Sequence, residues 1–316
     1  MKNFAKLIKL TLLVVSSTLM FSCSDDDSTT SSLDSIADVA AKNSNLSILV
    51  EALQKADLVE VLDSNGSYTV FAPTNEAFNN FLVANNFSSL NDVPVPVLKE
   101  VLLNHVVLGA NLSSNLRTGY VKTLGKGSAS STNTLSMYIN TSDGVTLNGV
   151  SNVVQANIGA SNGVIHVVDA VIGLPTIVTH VLANPNFSSL VGALTSNGQP
   201  DFVGILSGTT NAPFTVFAPS NDSFTTFESQ NPGTLASLTA SQLTSVLSYH
   251  VVAGANVLSN AIPSGPITTF ETGTFSIMGT TITDEASRQT NIVAVDIQAS
   301  NGVIHVINNV ILPELN

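Results

Sequence analysis

The sequence predicts two tandem copies of one α+β domain, each about 140 residues long. Three observations support this prediction. Four blocks of sequence recur in the same order at offsets of 139 to 146 residues. Each copy begins with capped segments whose apolar residues have helical spacing. Each then continues with short β-rich runs between Gly, Asn and Ser turns. Helices followed by strands, without strict alternation, are typical of the α+β class.

The recurring blocks indicate a tandem duplication whose insertions lie in loops, because the offset changes only slightly between blocks. The predicted domains are residues 33–175 and 176–316. The paired blocks are 35–53 with 176–194, 69–81 with 215–227, 104–107 with 249–252, and 160–168 with 299–307.

The first part of each copy predicts helices around one strand. In the first copy, Ser35 should cap a helix and Ser47 should open a second one through Leu53. A turn at Asn65-Gly66 should lead into a strand at 68–71. Another helix should begin after Pro73, capped by Thr74 or Asn75, with three apolar side chains inward. Those side chains are Phe78, Phe81 and Leu82.

The rest of the copy predicts one more helix and then strands. Apolar residues at helical spacing predict a helix over 97–107, with His105 counted as inward. Short β-rich runs follow at 136–139 and 145–147. A tight turn at Asn162-Gly163 should then open a nearly all-apolar strand over 164–172, buried on both faces.

The first 22 residues are predicted to be an export signal. Lys2, Lys6 and Lys9 precede an apolar run at 10–21, and the small residue Ser22 follows. A basic head, a short apolar run and a small residue are typical of secretory signals. The run is too short to span a bilayer, which needs about 20 apolar residues.

Cys23, the single cysteine of the chain, follows Ser22 directly. It resembles the acylated cysteine of bacterial lipoproteins, although Met20-Phe21 differ from the usual Leu and small residue. Lipidation would explain an unpaired cysteine in an exported chain, and two or more acyl chains anchor a protein stably. The sequence therefore predicts a membrane anchor at Cys23. The alternative is a plain secretory signal with an incidental cysteine.

Residues 23–32 are acidic and rich in Ser and Thr, which predicts a flexible tether. In Bacteroidetes-like lipoproteins, acidic residues at this place resemble an export tag for the outer cell surface. The predicted location is therefore the outer membrane, with the protein exposed at the surface. The alternative is a spacer whose charges only keep it solvated.

The charge balance excludes one class of partner. Without the three lysines of the signal, seven basic residues stand against 22 acidic ones, a formal charge of 7 − 22 = −15. Nucleic-acid binding depends largely on Lys and Arg that neutralise phosphates, so no nucleic-acid partner is predicted. The same charge argues against electrostatic docking to anionic lipids.

The repeated motifs resemble the two signatures of fasciclin domains. TVFAPTNEAF and TVFAPSNDSF resemble the first signature, and NGVIHVVDAVI and NGVIHVINNVI resemble the second. Tyr249-His250 matches the family's central Tyr-His position, and Asn104-His105 matches it in part. The resemblance implies a wedge of mainly antiparallel strands flanked by helices. It also implies an extracellular or cell-surface module that binds proteins or glycans and has no established catalysis.

In animal relatives, integrin binding has been attributed to Tyr-His and Asp-Ile elements. Tyr249-His250 matches the first element. The only Asp-Ile pair, Asp296-Ile297, lies just before the second signature and is not clearly homologous to the second element. An integrin partner is not carried over to this chain.

The signature histidines allow two hypotheses. One pairs the helical and strand histidines of each copy as a metal site, but zinc requires three or four ligands, and Asp169 is replaced by Asn308 in the second copy. The other makes them core side chains bonded to backbone or hydroxyl groups. The second hypothesis is preferred, with no metal and no cofactor. The signature residues predicted to be structural are His105, His166, Tyr249, His250 and His305.

The sequence carries no recognised catalytic motif. It has no G-x-S-x-G elbow and no phosphate-binding or dinucleotide-binding glycine pattern between a strand and a helix. Asn75-Glu76 recurs as Asn221-Asp222, and this change of acid length fits a helix first turn better than a catalytic carboxylate. The protein is therefore predicted not to be an enzyme.

The preferred hypothesis is a lipid-anchored surface protein that adheres to a matrix, host or cell-surface protein or glycan. The alternative is a component that captures a ligand or glycan for an envelope uptake system. The partner surface is expected where the copies differ most, in 112–134, 257–276 and 198–210. Because Trp is absent, the aromatic candidates for a sugar site are Tyr120, Tyr138 and Phe270.

Overall fold

The computed structural model describes residues 33–315. Leu33–Asn316 form one compact unit. The predicted signal peptide, Cys23 and the acidic tether lie outside the described residues. Within residues 33–315, no helix has both the length and the apolar character to cross a membrane.

The first repeat places five helices around and between its first strands. The helices are α1 (Ile36–Ala41), α2 (Ser47–Lys55), α3 (Val59–Asp63), α4 (Asn75–Ala84) and α5 (Val95–Leu103). The strands are β1 (Tyr68–Pro73), β2 (Val106–Leu108), β3 (Gly119–Lys126), β4 (Thr134–Asn140), β5 (Thr146–Leu147), β6 (Ser151–Ala160) and β7 (Gly163–Val168).

The second repeat follows the same order with one additional short helix. Its helices are α6 (Ile177–Ala183), α7 (Ser188–Leu194), α8 (Phe202–Ser207), α9 (Asn221–Gln230), α10 (Thr234–Ser237) and α11 (Ala240–Tyr249). Its strands are β8 (Phe214–Pro219), β9 (Val251–Ala253), β10 (Ile267–Thr268), β11 (Thr274–Met278), β12 (Thr281–Thr283), β13 (Gln289–Ala299) and β14 (Gly302–Ile307).

Both sheets are built around one parallel pair among antiparallel strands. β1 runs parallel to β7, and β8 runs parallel to β14. In the first repeat the seven strands close into a barrel, because β2 pairs with β3 at Val107 and Thr123. In the second repeat the sheet stays open, with β10 and β9 at its two edges. The predicted α+β class with mainly antiparallel strands is confirmed.

The helix starts follow the predicted caps. Ser35 and Asp38 form a capping box at the start of α1, and the Thr74 hydroxyl accepts a hydrogen bond from the Ala77 N–H at 3.1 Å. Such caps satisfy amide groups that the first helical turn leaves without partners. Thr74, and not Asn75, is therefore the cap of α4.

The central strands are buried on both faces, as predicted for the strand that follows Asn162-Gly163. In β1 the side chains of Val70 and Ala72 pack with the helices, whereas Phe71 packs among the strands. In β7, Ile165 and Val168 divide in the same way. Successive side chains of a strand point to opposite faces, so each of these strands joins two apolar clusters.

The helix predicted over 97–107 is wrong at both ends. α5 begins at Val95 and ends at Leu103, and Val97 is 43% exposed. Val106 and Val107 instead lie in β2, antiparallel to β1. β-branched valines fit a pleated strand, and this pairing overrides the helical spacing. The strand predicted over 164–172 ends at Val168, and α3 was not predicted.

The β3–β4 hairpin of the first repeat packs against the second repeat. The Lys122 ammonium donates to the Asp296 carbonyl at 2.8 Å, and the Gln298 N–H donates to the Ser136 hydroxyl at 3.0 Å. A side chain at Gly127 would place its Cβ 2.3 Å from the Ser300 Cα. The contact therefore requires glycine at this position.

Candidate functional site

The two signature histidines that the sequence places in helices, His105 and His250, instead lie in the turns just after α5 and α11, and they are held in the same way. The ring Nδ1 of His105 donates to the Val101 carbonyl at 2.7 Å, and its Nε2 accepts from the Ile172 N–H at 2.9 Å. His250 repeats this with the Val246 carbonyl at 2.7 Å and the Ile311 N–H at 3.3 Å. Both ring nitrogens are therefore occupied by backbone groups.

The two strand histidines are also held in a repeated way. The Nε2 of His166 donates to the Asn111 carbonyl at 2.9 Å, and its Nδ1 accepts from the Asn157 N–H at 3.2 Å. His305 has a matching contact to the Val257 carbonyl at 2.9 Å. Its Nδ1 accepts from the Asp296 N–H at 3.4 Å.

Burial keeps these rings neutral. It lowers the pKa of His105 and of His250 to about 4, against an opposing hydrogen bond to a backbone carbonyl. It also lowers the pKa of His166 and of His305. A neutral ring needs one donor and one acceptor partner, and the backbone supplies both. These contacts support the structural role, and within residues 33–315 no cluster of three His, Cys, Asp or Glu side chains could hold a metal ion.

A second repeated feature, a buried asparagine that bonds two helices, was not predicted from the sequence. The buried Asn162 accepts from the Ile36 N–H at 2.9 Å and donates to the Leu62 carbonyl at 2.7 Å. Asn301 does the same with the Ile177 N–H at 3.0 Å and the Leu206 carbonyl at 2.8 Å. Each asparagine thus joins the first helix of its repeat to the third. The feature of the sequence that could have indicated this role is the Asn-Gly pair that recurs in both copies.

The recurring Asn75 and Asn221 join neighbouring helices. Asn75 accepts from the Ile48 N–H at 2.9 Å, at the start of α2. Asn221 accepts from the Ser189 N–H at 2.9 Å, at the start of α7. The predicted structural role of these first-turn residues agrees with this geometry.

Tyr249 and Ile297 are buried, and Asp296 is partly exposed. The Tyr249 side chain is fully buried, and its hydroxyl donates to the Thr274 carbonyl at 2.7 Å. The Asp296 carboxylate accepts from the Ser259 N–H at 2.8 Å, and Ile297 is buried. Asp296 and its counterpart Asn157 both have positive φ and contact the strand histidines. The sequence comparison had left this equivalence unrecognised.

One cavity lies between the two repeats. It has a volume of about 280 Å³ and is called the interdomain cleft below. The ring centroids of Tyr120 and Tyr138 are 5.0 Å apart, with planes at 54°. The cleft is lined by Thr118, Gly119, Tyr120, Tyr138, Asn184, Asn186, Phe187, Ser220, Ala294, Ile297 and Val306.

Tyr120 is fixed by the second repeat. Its hydroxyl donates to the His180 carbonyl at 3.3 Å and accepts from the Asn184 amide at 3.4 Å. The His180 ring lies edge-on, with centroids 5.4 Å apart. The sequence had selected Tyr120 and Tyr138 as aromatic candidates, but it gave no signal for the asparagines. Phe270 instead packs against the core of the second repeat.

Comparison with known proteins gives the family. The fasciclin domain model matches residues 44–175 and 185–313. Synechocystis sp. protein sll1483 is 38% identical over 138 residues, which cover 42% of this chain and 70% of that protein. Human periostin is 28% identical over 264 residues, which cover 81% of this chain and 30% of periostin.

A solved structure shares the fold. A FAS1 domain pair from the insect cell adhesion molecule Fasciclin I superposes with a TM-score of 0.54 at 21% identity, covering 86% of this chain and 97% of that chain. The likeness shows the fold of a domain pair. Because the family model matches both copies of the duplicated unit, this chain belongs to the fasciclin domain family.

Proposed function

We propose that this protein is a non-catalytic binding protein of the cell surface, anchored through lipid at Cys23. Its two fasciclin domains would adhere to a matrix, host or cell-surface protein or glycan. The observation that carries this proposal is that family-signature side chains are engaged in internal hydrogen bonds in both repeats. Recognition is therefore assigned to surface features outside the signatures.

Two further observations support adhesion. Fasciclin I, whose domain pair shares this fold, is a cell adhesion molecule. The two repeats also pack into one unit through the β3–β4 hairpin, so they present one continuous surface. A lipid anchor would display many copies together, and linked weak contacts then gain avidity.

The proposed partner is not a nucleic acid. The chain without its signal carries a formal charge of −15 (7 − 22), and such a surface repels phosphates. Several basic side chains are also engaged internally, as Lys122 is with the Asp296 carbonyl.

An array of matrix proteins and glycans tests the binding function. The probe is the fragment comprising residues 33–316, which contains both apolar cores as one compact unit. We expect saturable retention on a defined subset of array members. A heat-unfolded sample is the control, and retention equal to that sample on every member would contradict the proposal.

The lipid anchor requires its own test. Mass spectrometry of the protein from membranes should find an acylated N-terminal Cys23, and Cys23→Ala should release the protein from the membrane fraction. An unmodified N-terminus at another residue would contradict the lipid anchor. The binding function would then be judged by the array alone.

A second candidate function is capture of a ligand for an envelope uptake system. It is favoured by a cavity of about 240 Å³ in the first repeat, lined by Thr69, Phe71, Asn111 and Arg117 among others. Native mass spectrometry of the purified protein discriminates the two functions. A stoichiometric small molecule without retention on the array would favour capture.

A further inference from the structure

The interdomain cleft combines aromatic rings with uncharged hydrogen-bonding groups. We propose that it binds one sugar unit of a neutral carbohydrate. This inference rests on the proposed function, because it names the ligand class and the site of that binding activity. The evidence comes from the side chains that the two repeats bring together there.

The rings and amides of the cleft match the two surfaces of a sugar. A sugar ring has an apolar C–H face and an edge of hydroxyl groups. The partly exposed ring of Tyr120 presents an apolar face, and the buried Tyr138 packs beside it. Asn186 carries an exposed side-chain amide that can both donate and accept, as sugar hydroxyls require, whereas the buried Asn184 amide bonds the Tyr120 hydroxyl and the Asn186 N–H. Thr118 and Ser220 add hydroxyl groups at the same cleft.

The cleft is also charge-free. None of the side chains that line it among the described residues is ionisable at neutral pH. Burial raises the pKa of the Tyr120 phenol, so its hydroxyl stays protonated. An anionic ligand would therefore meet no countercharge in the cleft, and it would be repelled by the acidic chain around it.

Tyr120 is preorganised for a ligand. The contacts of its hydroxyl with the His180 carbonyl and the Asn184 amide fix the ring before binding. A fixed ring loses little rotational freedom when a ligand arrives, which lowers the cost of association. Asn186, in contrast, has an exposed side chain, and its backbone N–H donates to the Asn184 side-chain oxygen at 3.1 Å.

The size of the cleft favours a sugar over a protein partner. Its volume of about 280 Å³ is close to the lower limit of small-molecule sites, about 300–1,000 Å³. A stable protein interface needs about 800 Å² from each partner, which the cleft alone does not offer. One unit of a longer carbohydrate fits this scale.

Tyrosine emission can follow binding without interference, because the chain has four tyrosines and no tryptophan. The fragment 33–316 is titrated with maltotriose, cellotriose, mannotriose and tri-N-acetylchitotriose, and with heparin as the anionic counterpart. We expect a saturable response to at least one neutral trisaccharide. Asn186→Ala should weaken that affinity about three- to tenfold, and Tyr120→Ala should weaken it at least about tenfold.

The matched control is Asn45→Ala. Asn45 is the counterpart of Asn186 in the first repeat, and its backbone N–H also donates to an asparagine two residues earlier, at 3.0 Å. It lies away from the interdomain cleft. Asn45→Ala should bind the trisaccharide as the unaltered protein does. Thermal unfolding of all variants shows whether each is folded. If Tyr120→Ala does not fold, Asn186→Ala still tests the cleft.

The outcomes separate the cleft from the proposed function. Loss of affinity in Asn186→Ala but not in Asn45→Ala supports the inference. No response to any neutral trisaccharide, equal affinity in Asn186→Ala, or tighter binding of heparin overturns it. If the array still retains the protein in those cases, the proposed function stands and the site lies elsewhere. If the array retains nothing, the proposed function itself fails.

Discussion

At the scale of single residues, the signatures are explained by backbone groups that need partners. Buried N–H and C=O groups are costly when unpaired. His105 and Asn162 satisfy such groups between segments that are far apart in sequence. The sequence predicted a structural role for the histidines, because their neighbours are apolar. It could not predict the partners, because these depend on how distant segments meet.

Asn301→Ala tests the structural role of the buried asparagines. The change leaves the Ile177 N–H and the Leu206 carbonyl without their partner. We expect the free energy of unfolding to fall by at least about 2 kcal/mol, measured by urea unfolding. Asn65→Ala, at an exposed turn, is the control and should change little. An equal loss in both variants would contradict the assignment.

The buried histidines predict a pH dependence. The pKa of His105, His180 and His250 is lowered to about 4 in the folded state, mainly by burial. Between about pH 6.5, the ordinary pKa of histidine, and pH 4, the unfolded chain therefore binds more protons than the folded protein. The contribution of these histidines to the free energy of unfolding is fully present above about pH 6.5, and it should be lost as the pH drops towards 4.

Urea midpoints at several pH values measure this loss. Each histidine contributes a slope of at most about 1.4 kcal/mol per pH unit. His250→Gln removes one such group and should make the slope shallower. A variant as steep as the unaltered protein would show that His250 is not a source of the pH dependence.

At the scale of elements, the sequence predicted the type of each helix or strand better than its first and last residues. The caps at Ser35 and Thr74 begin helices as expected, because capping is a local interaction. The boundary near Val106 was missed, because the pairing of β2 with β1 is not local. Closure of the first sheet and opening of the second were not predicted, since they depend on which distant strands meet.

Gly163→Ala tests the parallel pair at the centre of the first repeat. A Cβ at this position would lie 2.1 Å from the Tyr68 carbonyl oxygen, so the backbone of β1 or β7 must shift. We expect a loss of about 1–3 kcal/mol or more in the free energy of unfolding. Gly159→Ala is the control, because a Cβ there meets no atom within 4 Å. Equal stability of the two variants would contradict the close approach.

At the scale of the whole molecule, the sequence predicted two repeats but not their contact. The divergent segment 112–134 was expected to form the partner surface. Part of it packs against the second repeat instead, through Lys122 and the approach of Gly127 to Ser300. Divergence between the copies there has a physical reason, because this hairpin makes an interdomain contact. The same packing forms the interdomain cleft beside Tyr120.

Gly127→Val tests whether this contact couples the repeats. The added side chain would overlap the Ser300 backbone and should separate the hairpin from the second repeat. We expect calorimetry to show one unfolding transition in the unaltered protein and two in the variant. Ser131→Val, in the exposed part of the same hairpin, is the control and should keep one transition. A single unchanged transition in Gly127→Val would show that coupling lies elsewhere.

Attachment of living cells tests the central claim, that the protein is an adhesive surface module. Cells of the source organism that lack the protein are compared with cells that regain it, or regain it as Cys23→Ala, in a quantitative attachment or biofilm assay. The account predicts reduced attachment without the protein, recovery with the unaltered chain, and no recovery with Cys23→Ala. Unchanged attachment by cells that lack the protein would contradict it.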